Sequence, residues 1–248
     1  MPRYKLTIEY DGGPFVGWQR QKNGPSVQEA IERALLSFSG AAVTLHGAGR
    51  TDAGVHASGQ VAHVDLAKDY PTDTVRDALN YHLKPQPIAV MSVDVVDEAF
   101  HARFSAIERT YEYRILARRP PPTVDQGRVW HVPVPLDAAA MQLAADRLVG
   151  EHDFTSFRAA FCQAKSPIKT LDALDVRRQG EIISVTARAR SFLRSQVRAF
   201  VGSLKLVGEG RWSPQDVADA LEKRDRAAAG PTAPPDGLYL RSVRYPDG

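Results

Sequence analysis

Arg50, Thr51 and Asp52 stand between Gly49 and Gly54, so a guanidinium lies two residues ahead of a carboxylate in a run that is otherwise small. Glycines at 47, 49, 54 and 59 give this stretch backbone freedom. A carboxylate on such a loop can stay exposed and ionised, as a nucleophile or a general base requires. It can equally well cap its own turn by bonding the backbone two residues on. The residues alone leave both readings open.

Three other stretches carry groups that could do chemistry. In ARARSFLRSQVRAFVGSL, residues 187–204, no acid occurs and Arg194 and Arg198 lie four apart, with Arg190 just before them. On a helix those two would share one side, giving a solvated basic face or a row that grips phosphate or a distant carboxylate. In YDGGPFVGWQRQ, residues 10–21, Phe15, Trp18 and Arg20 alternate with glycines. Such a loop either offers aromatics and bases to nucleic acid or anchors itself by its apolar rings. In FHARFSAIERTYEYRI, residues 100–115, His101, Arg103, Arg109 and Tyr111 gather where two halves of the chain would join. A strand tyrosine there is either core or a surface on which a base can stack.

These groups need elements to hold them. Tyr4, Leu6, Ile8 and Tyr10 alternate with polar residues and predict a first strand. A helix follows from Ser26, with Glu29 completing a capping box and Val27, Ala30, Ile31, Ala34, Leu35 and Phe38 on one stripe until Gly40. A short strand over 43–46 precedes the Asp52 loop. The strand over 60–66 after it turns Ala62, Val64 and Leu66 inward and leaves Val61, His63 and Asp65 half exposed. A helix from Thr74 and a strand from Ile88 complete a β-α-β-β-α-β order, the split-βαβ plan. The remainder repeats it loosely: a strand over 110–116, a helix from Leu136, strands over 170–178 and 181–190 around Gln179-Gly180, a helix over about 191–207, a helix begun by Ser213-Pro214, and a strand over 238–245. The expected architecture is α+β: two pseudo-repeated split-βαβ halves of the ferredoxin or RRM-like kind, with antiparallel sheets meeting at a central cleft. The first half, residues 1–105, carries the Asp52 loop; the second, residues 106–248, carries the basic helix.

With 248 residues and 43% hydrophobic content, the chain has material for real cores. No apolar run approaches the ~20 residues of a membrane helix, and the opening MPRYK does not look like a signal peptide. Cys162 is the single cysteine, which fits a reducing cytoplasm and excludes an internal disulfide framework. Neither an HExxH zinc pattern nor a GxxxxGK[ST] or GxGxxG phosphate loop nor a G-x-S-x-G elbow is present, so no metal or nucleotide cofactor is expected. A net charge of +3 says little by itself, because the placement of 32 Lys and Arg matters more than their sum.

Taken in order, YDGGPFVGWQ, GRTDAGVHASGQV, FHARFSAIERTYEYRI, EHDFTSF, ARSFLRSQVRAFVGSL and GLYLRSVRY closely resemble the tRNA pseudouridine synthase A family over nearly the whole chain. The chain departs from relatives at Arg194 to Gln196, where they often carry His or Asn and then Met. The resemblance implies the pseudouridine synthase fold and conversion of uridines 38, 39 and 40 in the anticodon stem-loop of tRNA, with no cofactor and no metal. It implies that Asp52 is the catalytic aspartate, that Arg50 acts in tRNA binding and base flipping, that Tyr111 stacks on the flipped uracil, and that Arg198 pairs with the aspartate. It further implies a cytoplasmic homodimer whose partner is tRNA.

Overall fold

The computed structural model describes residues 1–160, 162 and 164–246. Its chain divides into two units, Met1–Ile107 with the stretch from Tyr239 onward, and Glu108–Leu238. In the first unit β1 (Arg3–Tyr10) runs antiparallel to two neighbours. Between β1 and its partners the chain forms α1 (Val27–Ser39), β2 (His46–Gly47), β3 (His56–Asp65), α2 (Thr72–His82) and β4 (Ile88–Val96). The sheet order is β4-β1-β3, with β2 antiparallel to β3 on its far side. This is a split-βαβ arrangement.

Local signals explain α1. The Ser26 hydroxyl accepts the Glu29 N–H at 3.3 Å, and Gly40, at φ 74°, closes the far end onto Leu36. Val27, Ile31, Ala34 and Leu35 are buried on its inner stripe. The capping box is only half made, because the Glu29 carboxylate bonds Arg33 at 2.8 Å.

The strand after the Asp52 loop differs from expectation in length and in burial. It begins at His56, and both of its faces are covered: Val61 and His63 are as enclosed as Ala62 and Val64. The cover on the second face is non-local. Ala48, Val61 and Ala102 pack together with Phe100, Val243 and Tyr245 against them. Of the expected strand over 43–46 only His46 lies in a strand, and with Gly47 it makes up the two residues of β2.

The second unit contains β5 (Glu108–Ala117), β6 (Trp130–Val132), α3 (Ala138–Ala145), β7 (Gly150–Asp153), β8 (Ile168–Leu171), β9 (Ala173–Gln179), β10 (Ile182–Ala189), α4 (Gln196–Gly208) and α5 (Pro214–Lys223). β10 lies antiparallel between β5 and β9, and β6 adds to β5 in parallel. The single strand expected over 170–178 is broken at Asp172, whose N–H bonds the Arg188 carbonyl at 2.8 Å. Its first part, β8, pairs with β7 in a separate ribbon. The EHDFTSF motif supplies core: Phe154 and Phe157 are fully buried and both rings lie against Phe200 of α4, at 5.3 and 5.2 Å. Each such burial is worth about 1.5–3 kcal/mol.

The start of α4 corrects a prediction. The helix begins at Gln196, not near Ser191, and Ser195 ahead of it sits at φ 58°. The Gln196 side chain explains the delay, since its Oε1 accepts the Leu193 N–H at 2.7 Å and closes a turn in place of a helical one. Arg194 is therefore a turn residue, and it does not share a helix face with Arg198. Finally β11 (Leu238–Arg244) pairs in parallel with β3 through Tyr239–His56 and Leu240–Ala57, so the chain's end returns to the first unit. Among the described residues, no helix is long and apolar enough to cross a membrane.

Candidate active site

The Asp52 loop is held from both sides by its own unit. Ahead of it, the Ala48 N–H bonds the Val61 carbonyl at 2.7 Å, and the Gly49 carbonyl accepts from the side chain of the wholly buried Gln60 at 2.9 Å. After it, the Val55 N–H closes a turn onto the Asp52 carbonyl at 3.1 Å, with Gly54 at φ 77° as the third residue. A side chain at that position of such a turn would be strained, which accounts for glycine there.

The YDGGPFVGWQ loop forms the other wall. Trp18 donates its N–H to the Thr51 carbonyl at 3.1 Å, and Gly54 donates to the Phe15 carbonyl at 3.3 Å. The approach is so close that a Cβ on Gly17 would lie 2.7 Å from the Thr51 carbonyl oxygen, and one on Gly12 would lie 2.1 Å from that of Val55. Phe15 and Trp18 are buried, so these rings anchor the loop and do not offer themselves to nucleic acid. Arg20 is exposed and approaches Glu29 and Glu32 at 3.9 Å.

Between these walls Thr51 is buried, and its hydroxyl meets the Tyr10 hydroxyl at 2.8 Å. Sequence reasoning missed Tyr10, Thr51 and Gln60. Tyr10 reads as one more apolar strand position, and Gln60 lies inside β3, where nothing nearby in sequence marks its bond to Gly49. The outcome of this packing is a half-buried Asp52 whose backbone is fixed on either side, with Arg50 exposed two residues before it.

The other two predicted groups belong to the second unit. Tyr111 lies on β5, is 9% exposed, and meets the edge of Phe192 with ring centroids 5.2 Å apart. Its neighbour Tyr113 is the core member of the pair: it is fully buried, its hydroxyl donates to the Pro234 carbonyl at 2.7 Å, and burial pushes its phenol far above the usual range. Arg198, half-buried in the first turn of α4, is gripped by one residue at both ends. Its Nε donates to the Ala233 carbonyl at 2.7 Å, and its own carbonyl accepts the Ala233 N–H at 3.0 Å. Gly202 makes that possible, since a Cβ there would fall 1.6 Å from the Pro231 carbonyl oxygen of the same crossing segment. Arg109 is buried and donates to the Arg190 carbonyl at 2.5 Å, so it braces the chain.

His101 joins neither group. It packs with His63 and His46, at ring-centroid distances of 4.7 and 5.7 Å, in the first unit. Among the described residues no group of three or more His, Cys, Asp or Glu is arranged to hold a metal ion.

Comparison with known proteins bears on what these groups are for. Residues 6–105 and 144–246 match the family model described as tRNA pseudouridine synthase. The tRNA pseudouridine synthase A of Paramagnetospirillum magneticum is 64% identical over 99% of this chain and 96% of its own. The protein of the same name from Nitrobacter hamburgensis is 60% identical over 99% of this chain and all of its own, and that of Rhizobium leguminosarum is 57% identical over 100% and 93%. With a match of this extent, the chain belongs to the tRNA pseudouridine synthase family, whose reaction is the isomerisation of uridine to pseudouridine.

Proposed function

We propose that this protein converts uridine to pseudouridine at positions 38, 39 and 40 of the tRNA anticodon stem-loop, with Asp52 as the catalytic carboxylate. The observation that supports this most directly is the Asp52 loop, a half-buried carboxylate on a backbone clamped from two sides. Rate acceleration by a carboxylate at a sugar carbon depends on that kind of fixed placement.

The reaction is an isomerisation. The N1–C1′ bond of the uridine breaks, the freed uracil turns, and C5 bonds to C1′; C5 loses its proton and N1 gains one. Asp52 acts at the sugar, either as nucleophile at C1′ or by promoting a glycal-like intermediate. The target base is stacked within the stem-loop, so it leaves the stack first. Arg50, exposed two residues from Asp52, fills the vacated space or holds the backbone. Tyr111 stacks on the flipped uracil and handles the C5 proton, and Arg198 pairs with Asp52. No step calls for a metal, a nucleotide or a redox group. The working form is a cytoplasmic homodimer whose partner is tRNA.

An RNA-binding module would use the same basic and aromatic groups without chemistry, and a glycoside hydrolase would cut at the same sugar carbon. Transfer RNA tritiated at uridine C5 separates all three. The proposed reaction releases tritium while the base stays attached. Binding alone releases none, and a hydrolase frees uracil. Asp52→Asn should abolish release while tRNA binding holds within about threefold, since size is kept and only the charge is lost. Substantial release by purified Asp52→Asn would refute the assignment.

A further inference from the structure

The turn at 101–105 is bonded at nearly every step, yet it presents a large ring to solvent. His101 and Ser105 bond each other twice, N–H to Oγ and N–H to carbonyl, each at 2.9 Å. The His101 Nδ1 accepts from the Arg103 N–H at 3.1 Å. Ala102 is tied to the sheet by its N–H on His63 Nδ1 at 3.1 Å and by its carbonyl on the Tyr245 hydroxyl at 2.7 Å. On this fixed turn Phe104 is 71% exposed.

Its surroundings are aromatic on one side and cationic. The Phe104 and His101 rings lie 4.4 Å apart, and the row continues through His63 to an exposed His46, with successive centroids 4.7 and 4.9 Å apart. The Arg103 guanidinium stands 5.8 Å from the Phe104 centroid. Burial, and then the neighbouring His46, Arg3 and Arg103, hold the His101 pKa below its ordinary value. The nearby acid Asp65 is engaged by Arg3 at 2.7 and 2.8 Å, and the charges of Glu98 and Asp97 also act on Arg3.

An exposed ring held rigid beside a guanidinium suits a molecule that has flat faces and phosphates together. An apolar protein partner would gain nothing from the cations. We propose that Phe104, with Arg103 and His101, is a stacking platform for an unpaired base of the RNA substrate, apart from the nucleotide that reacts. This rests on the reading of the chain as a tRNA-modifying enzyme for the identity of the RNA. Stacking of one base on an aromatic ring contributes about 1–3 kcal/mol, and preorganisation of the ring keeps the ordering cost low.

The test uses the full chain, unmodified tRNA, filter binding for Kd, and pseudouridine formation for KM and kcat. Phe104→Ala should raise Kd and KM by about 5–150-fold and leave kcat within about twofold. Phe104→Trp should restore Kd to near the wild-type value. Arg103→Ala should lower the slope of log K against log salt by about one. Because the Phe104 side chain is exposed, its removal leaves folding intact. A Phe104→Ala protein that binds tRNA within twofold of wild type would overturn the platform. So would a change in sedimentation mass on that substitution, which would make the ring a contact between copies of the chain. If wild-type protein binds tRNA but forms no pseudouridine, the catalytic reading fails, and the Kd series still decides the platform.

Discussion

Acidification through the histidine range should destabilise the first unit, because His63 is folded in as a neutral ring. It is 2% exposed on β3, stacked at 4.9 Å on His46 and edge-on to His101. Burial is the main force that lowers its pKa, followed by the neighbouring His101, His46 and Arg3, with Asp65 opposing them; together they bring it from 6.5 to about 4. Hydrogen bonding acts in the same direction. Nδ1 accepts the Ala102 N–H, so a proton added there would set two donors against each other and free the turn that carries Phe104. The folded pKa lies below the unfolded one. The stabilisation is therefore fully present above about pH 6.5 and is lost as pH falls towards 4. At 1.36 kcal/mol per pH unit, the loss reaches about 2 kcal/mol by pH 5 and about 3 kcal/mol by pH 4. Urea unfolding across that range, on wild type and on His63→Gln, measures it. The variant keeps a carbonyl to accept from Ala102 and cannot become charged, so the difference between the two curves isolates this ring from the carboxylates that titrate lower down. A His63 Cε1 resonance that titrates at 6.5 or above, or parallel stability profiles for the two proteins, would refute the reasoning.

Two further substitutions probe how the site is aimed. Tyr10→Phe removes the hydroxyl that meets Thr51, leaving a buried partner unsatisfied at a cost of about 1–3 kcal/mol; kcat should fall with KM for tRNA nearly unchanged, and the double variant with Thr51→Val should lose no more than either alone. Additive losses, or a rise confined to KM, would show that the hydroxyl pair does not position Asp52. Arg198→Met should lower kcat with tRNA affinity held, and Arg198→Lys should recover part of the rate, since charge matters more than the planar fork in a pairing role. If the loss instead appears in Kd, with a salt slope smaller by about one, Arg198 contacts phosphate and its pairing with Asp52 is wrong.

Which of these features can be read from sequence follows from how far apart the causes lie. β4 occupies the residues expected of it, and α5 begins with the Ser213-Pro214 signal, completed by a capping box to Asp216, because those causes sit within a few residues of their effects. Residues distant in the chain produce one failure, and a local side-chain bond that periodicity does not register produces another. Alternation along β3 implies one wet face, but Phe100, Ala102, Val243 and Tyr245 arrive to cover it. A continuous apolar and basic period implies a helix from about residue 191, but one buried amide, Gln196, diverts the backbone for a turn.

The candidate site divides along the same line. Asp52 and Arg50 stand out by their spacing between glycines, and the motif that holds them carries the family resemblance. What packs the loop that carries the aspartate is invisible locally: the Tyr10 and Thr51 hydroxyls are 41 residues apart, and the glycines at 12 and 17 matter for carbonyls of Thr51 and Val55 in a different loop. Gly202 makes the point most sharply. Inside a helix it weakens the helix by about 0.5–1 kcal/mol relative to alanine, and nothing nearby in the sequence justifies it. The justification is the Pro231 carbonyl crossing where a Cβ would stand, which brings Ala233 to both ends of Arg198. The glycine loses stability in α4, and in exchange the guanidinium is held by backbone that no side-chain substitution can remove.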